Sequence, residues 1–204
     1  MSSSNFLIDP RTILVVDASV VINLNATGRA RDIIMGVPNP WAVTENALAE
    51  LAGGMRNGHD DARKLRGLID GGFVNLVGLG DTGGSVYEAL VDGSALRTLD
   101  DGEAATIGYA CEVGGIAVID ERKARRLCAD RFPGLPVAST VDLLLHEKVV
   151  SALGKKDQVE GIVGALRLAR MRVPPEQLGR IVALIGEKCA ASCASLPKAA
   201  RVSS

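Results

Sequence analysis

The sequence predicts an α/β fold, a parallel sheet with helices on both faces, on three observations. Short apolar runs alternate with helix-like stretches from residue 12 to about residue 150, and such alternation marks a parallel sheet covered on both sides. The runs are continuous rather than apolar at every second position, which suits strands buried on both faces, although periodicity alone does not separate such a run from a buried helix. Aromatics make up only 3% of the 204 residues while 47% are hydrophobic, so Val, Leu, Ile and Ala must fill the core. That mix suits strands lying under alanine-rich helices.

Taken in order, residues 1–11 form a polar lead-in and residues 12–17 a strand ending in Asp17. Ala18 to Ala26 turns into a helix, with Ser19 near its start, where a hydroxyl caps exposed N–H groups. Asp32 to Met35 gives way to a loop, Gly36 to Pro40, marked by its prolines. Trp41-Ala42-Val43 is a short apolar stretch. Thr44 is placed to cap a helix from Glu45 to Ala52, which Gly53-Gly54 stops. Arg56 to Asp70 has the mixed charge of a solvated helix ending at Gly71-Gly72, and Phe73 to Val77 is a strand. Gly78 to Gly84 lacks the glycine spacing and the Lys-Ser/Thr of a phosphate-binding loop and reads as a plain linker.

Ser85 to Leu96 is helical, Leu99 to Gly102 is a turn, and Glu103 opens a helix of small residues running to Val113. Gly114-Gly115 ends it, and Ile116 to Ile119 is the next strand. Arg122 to Arg131 is a basic helix, Phe132 to Pro136 a loop, Val137-Ala138 a short strand and Thr140 to Val150 a helix. Past residue 150 the strands cease. Val159 to Arg170 and Pro175 to Ala191 are helical by spacing, Pro174-Pro175 marks the break, and the tail from Pro197 is expected to fray. The expected organisation is an α/β domain over residues 1–150 and a helical extension with tail over 151–204.

A formal net charge of -1 supplies no global basic field for nucleic acid, although bound metal and a local basic patch can offset the acids. No apolar run is long enough to span a bilayer, and the first residues lack the basic and apolar regions of a signal peptide. Cys111, Cys128, Cys189 and Cys193 lack paired zinc spacing and suit thiols in a reducing cytosol, so a cytoplasmic location is expected. His59 and His146 are isolated and read as surface or structural residues. No Ser-His-Asp or Cys-His arrangement is evident.

Acids carry the chemistry. Asp17 ends the first strand and Asp120 follows the Ile116–Ile119 strand, with Glu50 and Glu103 between them. Ligands of open α/β sheets bind beyond the carboxyl ends of the strands. Carboxylates collected there point to a hard divalent cation, Mg²⁺ or Mn²⁺. Each acid also has a structural reading. Asp17 and Asp120 suit helix caps, Glu50 suits a solvated helix face, and Glu103 complements a helix dipole. The inference rests on the four together. Arg122, Lys123, Arg125 and Arg126 follow Asp120 directly, where they suit phosphate contact or a solvated basic face.

Four stretches together resemble the PIN domain: Val-Val-Asp17-Ala-Ser-Val-Val-Ile-Asn-Leu, Ala-Leu-Ala-Glu50-Leu, Leu-Asp-Asp-Gly-Glu103-Ala-Ala-Thr-Ile and Ala-Val-Ile-Asp120-Glu-Arg-Lys-Ala-Arg. More narrowly they are similar to the VapC-type toxin ribonucleases and their prokaryotic relatives. The resemblance covers residues 12 to about 145. Its most specific parts are the Gly-Glu-Ala element and the strand-terminal Asp120 before a basic helix. It implies a three-layer α/β/α fold with a central parallel sheet, and a Mg²⁺- or Mn²⁺-dependent endonuclease that hydrolyses RNA. Asp17, Glu50, Glu103 and Asp120 match the family's acidic positions. Under that reading Asp17, Glu103 and Asp120 ligate the ion, while Glu50 binds it or orients the attacking water. Ser19 matches a small polar position that supports the first aspartate. Glu45 is a second candidate for the middle acid, with Glu50 preferred for its Ala-Glu-Leu context. Asp142 stands where the family's last loop can carry a further acid. Asn57 to Asp81 matches no motif, and the helices past residue 150 lie outside the resemblance.

Two other classes compete. A Mg²⁺-dependent phosphatase on a doubly wound sheet also uses strand-end aspartates, but its haloacid-dehalogenase-like form wants a second aspartate where this chain has Ser19. A catalytically silent module of the same fold would bind RNA or protein without cutting. Expected partners are RNA, a second copy of the chain and, by the likeness to toxins, an antitoxin-like protein. Leu166, Ala169, Val173, Leu178, Ile181, Val182 and Ile185 form an amphipathic pattern, suited to such a partner or to packing on the chain's own core.

Overall fold

The structure is a computed structural model and describes residues 9–54, 60–92 and 98–201. Expectations that fall on the other positions lie outside the described residues: most of the lead-in, His59, the start of the Arg56 helix, the end of the Leu96 helix and the last residues of the tail.

β1 (Leu14–Val16), β2 (Trp41–Thr44), β3 (Asn75–Val77), β4 (Ile116–Val118) and β5 (Val137–Ala138) form one parallel sheet in the order β3-β2-β1-β4-β5. Every residue of β1, β2 and β4 is buried, so these strands are covered on both faces, as their unbroken apolar character demands. The chain steps outward from β1 to β2 and β3, then crosses back to β4 on the other side of β1. Val16 lies opposite Val118, and the Asp17 N–H donates to the Val118 carbonyl at 3.2 Å. Strand order therefore reverses between β1 and β4, and the crevice beyond their carboxyl ends is where such sheets take ligands. The architecture is the expected three-layer α/β/α fold.

α1 (Ala18–Ala26) and α2 (Ala30–Gly36) follow β1; α3 (Glu45–Gly54) and α4 (Asp61–Asp70) join β2 to β3. α5 (Asp81–Val91) and α6 (Asp101–Val113) join β3 to β4, and α7 (Arg122–Arg131) joins β4 to β5. Thr44 caps α3 as its sequence implies, its Oγ1 accepting the Ala47 N–H at 3.3 Å. α6 packs on β1, β2 and β4 and on α3 and α5. Its Ala104, Ile107 and Ala110 join Val15 and Ala117 of the sheet, Ile119 just beyond β4, and Leu90, Ala124 and Cys128 of α5 and α7 in one buried cluster.

Two helix starts differ from the sequence expectation. The segment read as a linker to Gly84 is helical from Asp81 onward. Its cap is not local: Oε2 of Glu112, on α6, accepts the N–H groups of Gly80 and Gly83 at 3.0 and 2.9 Å, satisfying donors that a helix start leaves open. Gly83 also meets Gly108 of α6 so closely that a Cβ on Gly108 would lie 2.5 Å from the Gly83 carbonyl oxygen. α6 itself begins at Asp101, earlier than Glu103, because Asp100 takes the extended N-cap position.

The chain forms two compact units, residues 1–21 with 38–139 and residues 22–37 with 140–204; the sequence boundary at residue 150 falls inside the second. The second unit holds α8 (Thr140–Leu144), α9 (Glu147–Leu168, kinked at Gly154), α10 (Leu178–Ile185) and α11 (Glu187–Ala191). Residues 22–37 join it because α2 packs on α9 and Arg29 pairs with Asp157 at 2.8 Å. The helix read over Thr140 to Val150 breaks at Leu145-His146. There the buried His146 caps α9, its Nδ1 accepting the Lys148 N–H at 3.3 Å. The helix read over Pro175 to Ala191 is a 3-10 turn followed by α10 and α11, divided at Gly186.

Overpacking a well-fitted helix crossing costs about 1–3 kcal/mol. Gly108→Ala is therefore expected to destabilise the protein by that amount in urea denaturation. Gly84→Ala, whose Cβ would meet nothing within 4 Å, is expected to stabilise by up to about 1 kcal/mol.

Candidate functional site

Asp17 leaves β1 with only 3% of its surface exposed. Its Oδ2 accepts the Ser19 N–H at 3.1 Å and the Ser19 hydroxyl at 2.7 Å, so the turn that starts α1 fixes the carboxylate. Its Oδ1 is buried and has no hydrogen-bond partner among the described residues, a costly state for a carboxylate oxygen. Burial pushes Asp17 above the ordinary aspartate range; bonds from Ser19 and the Ala18 N–H oppose it, and Asp100 adds like charge.

Gly102 brings a second carboxylate to this oxygen. A Cβ there would overlap Glu50 Oε2 and stand 3.3 Å from Asp17 Oδ1. The missing side chain leaves a clear space over which side chains from the end of β1 and from α3 approach one another. Glu50 is exposed as a residue, yet partial burial of its carboxylate raises its pKa, and Asp17, Asp100 and Asp101 raise it further. Glu103, half-buried on α6, is pushed up to about 8 by burial and then by Asp17, Asp100 and Glu121. The Asp100 N–H donates to Glu103 and opposes that shift.

The structure thus brings Asp17, Glu50 and Glu103 together with three acids that the sequence reading did not single out as candidates: Asp100, Asp101 and Glu121. Asp100 and Glu103 have the spacing of a capping box, a signal hidden when Leu99 to Gly102 is taken as a turn. The Tyr87 hydroxyl of α5 donates to Asp101 Oδ1 at 3.1 Å, a contact no sequence pattern announced.

Asp120 is half-buried immediately beyond β4, the strand beside β1, so its backbone stands at the same end of the sheet as Asp17. Glu121 caps α7, accepting the Lys123 N–H at 3.4 Å. Arg122 is exposed at the first position of α7, Arg126 is exposed, and Lys123 and Arg125 are half-buried. Glu45 is turned toward Gly78, beyond β3; its Oε2 lies 3.8 Å from where a Cβ on that glycine would stand. Asp142 is buried in the second unit, where Gln177 Nε2 donates to its Oδ1 at 2.7 Å.

Among the described residues, no three His, Cys, Asp or Glu side chains stand ready to hold one metal ion. The donors at hand are nonetheless all hard oxygens, one of them buried and unbonded beside a space left clear by a glycine, and that combination suits a hard cation. No helix is long and apolar enough to cross a membrane among the described residues. The four cysteines are free thiols, and burial pushes Cys128 up to about 12.

A family model described as a PIN domain matches residues 13–187. No curated protein and no solved structure matches the chain.

The raised acids set a pH dependence. A carboxyl whose folded pKa is raised stabilises the fold while protonated, and that contribution is lost as pH climbs through the folded value. The metal-free protein is therefore expected to lose melting temperature from about pH 5 upward, through the region near 8 where Glu103 ionises. Glu103→Gln is expected to flatten that slope; a wild-type melting temperature that stays level or rises over the same range would contradict the assignment.

Proposed function

The chain belongs to the PIN-domain family, and on that premise we propose that it is a Mg²⁺- or Mn²⁺-dependent endoribonuclease hydrolysing RNA phosphodiester bonds. PIN domains have a nuclease-like fold. The observation that supports the finer reading most is the buried, unbonded Oδ1 of Asp17, facing Glu50 across Gly102 at the carboxyl end of the central strands. A carboxylate held in that state has a use for a cation.

In this reading Asp17, Glu103 and Asp120 hold the ion. When bound, a divalent ion supplies an activated water, neutralises the scissile phosphate and steadies the leaving oxygen. Ser19 occupies Oδ2 of Asp17 and so leaves Oδ1 as the donor directed at the pocket. Glu50, at the mouth, binds the ion or orients the attacking water. Arg122, Lys123 and Arg125, following Asp120 on α7, receive backbone phosphates of the RNA. Glu103 must give up its proton for the pocket to carry full negative charge, so occupancy rises with pH.

The expected protein partners, an antitoxin-like chain or a second copy, have support of their own in the second unit. Leu168 is 78% exposed, and Leu178, Val182 and Ala183 line an apolar groove. A change of mass on mixing with the product of a small adjacent reading frame, or a dimer mass alone in light scattering, tells these partners apart.

The purified chain is expected to cleave RNA only with Mg²⁺ or Mn²⁺ present. Asp17→Asn is expected to lower turnover at least about 100-fold, the order lost with a single group that stabilises the transition state. Undiminished cleavage by that variant would remove Asp17 from the mechanism. Arg122→Ala is expected to weaken RNA binding alike across sequences and to reduce the slope of log affinity against log salt by about 1; an unchanged slope would take Arg122 off the phosphate backbone.

A further inference from the structure

We propose that Tyr87 is a positioning residue for the cation, holding Asp101 at the mouth of the acidic cluster as a carboxylate that receives a cation-bound water. The inference rests on the metal-dependent reading above and adds to it two residues outside the four acids that carry that reading.

Asp101 stands next to Gly102, the residue over which Asp17 and Glu50 approach, and its charge is felt by Glu50. It is exposed in the first turn of α6. An exposed aspartate beside several other acids gains by swinging away into solvent, since like charges at short range repel. One group opposes this, the Tyr87 hydroxyl, which donates to Oδ1 at 3.1 Å. Among the described residues no other hydrogen bond or ion pair reaches the Asp101 side chain.

The choice of donor matters. Lysine or arginine in that place would restrain the carboxylate equally well, but would cancel its charge and repel a cation. A neutral phenol restrains it and leaves the charge in place. Burial and the bond to Asp101 both raise the Tyr87 pKa above its ordinary value, so the hydroxyl remains a donor wherever the acids are ionised.

The donor is also well anchored. Tyr87 rides on α5, and the start of α5 is tied to α6 by Glu112 and by the close meeting of Gly83 with Gly108. The separation of the two helices that carry phenol and carboxylate is thereby set by backbone packing. The independent sign that a cation belongs here is the unbonded Oδ1 of Asp17. Because Asp101 is exposed at the rim, contact through a water suits it better than direct ligation. Outer groups of this kind change metal affinity by about 10–100-fold when removed.

The test is calorimetric titration of the full-length chain with Mn²⁺, comparing wild type, Tyr87→Phe, Asp101→Asn and the double variant. Each single change is expected to raise the Kd for Mn²⁺ about 10-fold, and the double variant to bind no more weakly than Asp101→Asn. A merely structural tyrosine would lower the melting temperature of the metal-free protein and leave Kd unchanged. Wild-type Kd in Tyr87→Phe, or in Asp101→Asn, overturns the inference alone. A wild-type chain that takes up no Mn²⁺ overturns both the inference and the metal-dependent reading. Weaker Mn²⁺ binding by Tyr87→Phe, in a chain that cleaves no RNA, upholds the inference and overturns the nuclease reading.

Discussion

Carboxylates taken out of water lose hydration and then raise each other's free energy, and the region around Asp17 is organised by that cost. Burial is the largest influence on Asp17, Glu50 and Glu103 alike, and like charge comes after it. Neighbouring groups compensate in different ways. Ser19 gives two donors to one oxygen of Asp17, the Asp100 N–H gives one to Glu103, and Tyr87 gives one to Asp101. None of these donors carries a positive charge, so the negative field is shaped without being cancelled. An arrangement built for stability alone would put apolar side chains here or pair the acids with lysine or arginine, because a buried charge left unpaired is costly.

α6 is the element on which this depends. Its first turn brings Asp101, Gly102 and Glu103 to the acidic cluster, while Ala104, Ile107 and Ala110 further along it join the core under β1 and β4. The acidic cluster and the packed core thus share one rigid piece, which holds the carboxylates more accurately than a loop would. Its last turn contributes as well, because Glu112 closes the start of α5.

Much of this was legible in the sequence where the signal was local. An apolar run ending in an aspartate located β1 and Asp17; Thr44 announced α3; Gly114, with φ 61, ended α6 as its position implies. What escaped the sequence was set by contacts distant along the chain. The start of α5 was misread because its cap comes from Glu112, on another helix. Asp100 and Asp101 lay in a stretch whose acidic and glycine content looks like a turn and is in fact the opening of a helix. Glu45 and Glu50 could not be separated by spacing alone; the side chain of one reaches Gly78 and that of the other reaches Gly102. The membership of residues 22–37 in the second unit had no local mark at all, since it arises from packing against α9.

That last feature bears on how the molecule is made. A chain emerging from the ribosome releases α2, whose Ile33 and Ile34 are buried at the end, long before α9, the helix on which α2 packs, exists. Pairings so far apart close late and slowly, and apolar surface left waiting invites aggregation or a chaperone. The second unit is consequently finished only once α9 has followed β5 out of the ribosome, and until then α2 lacks the helix it packs on.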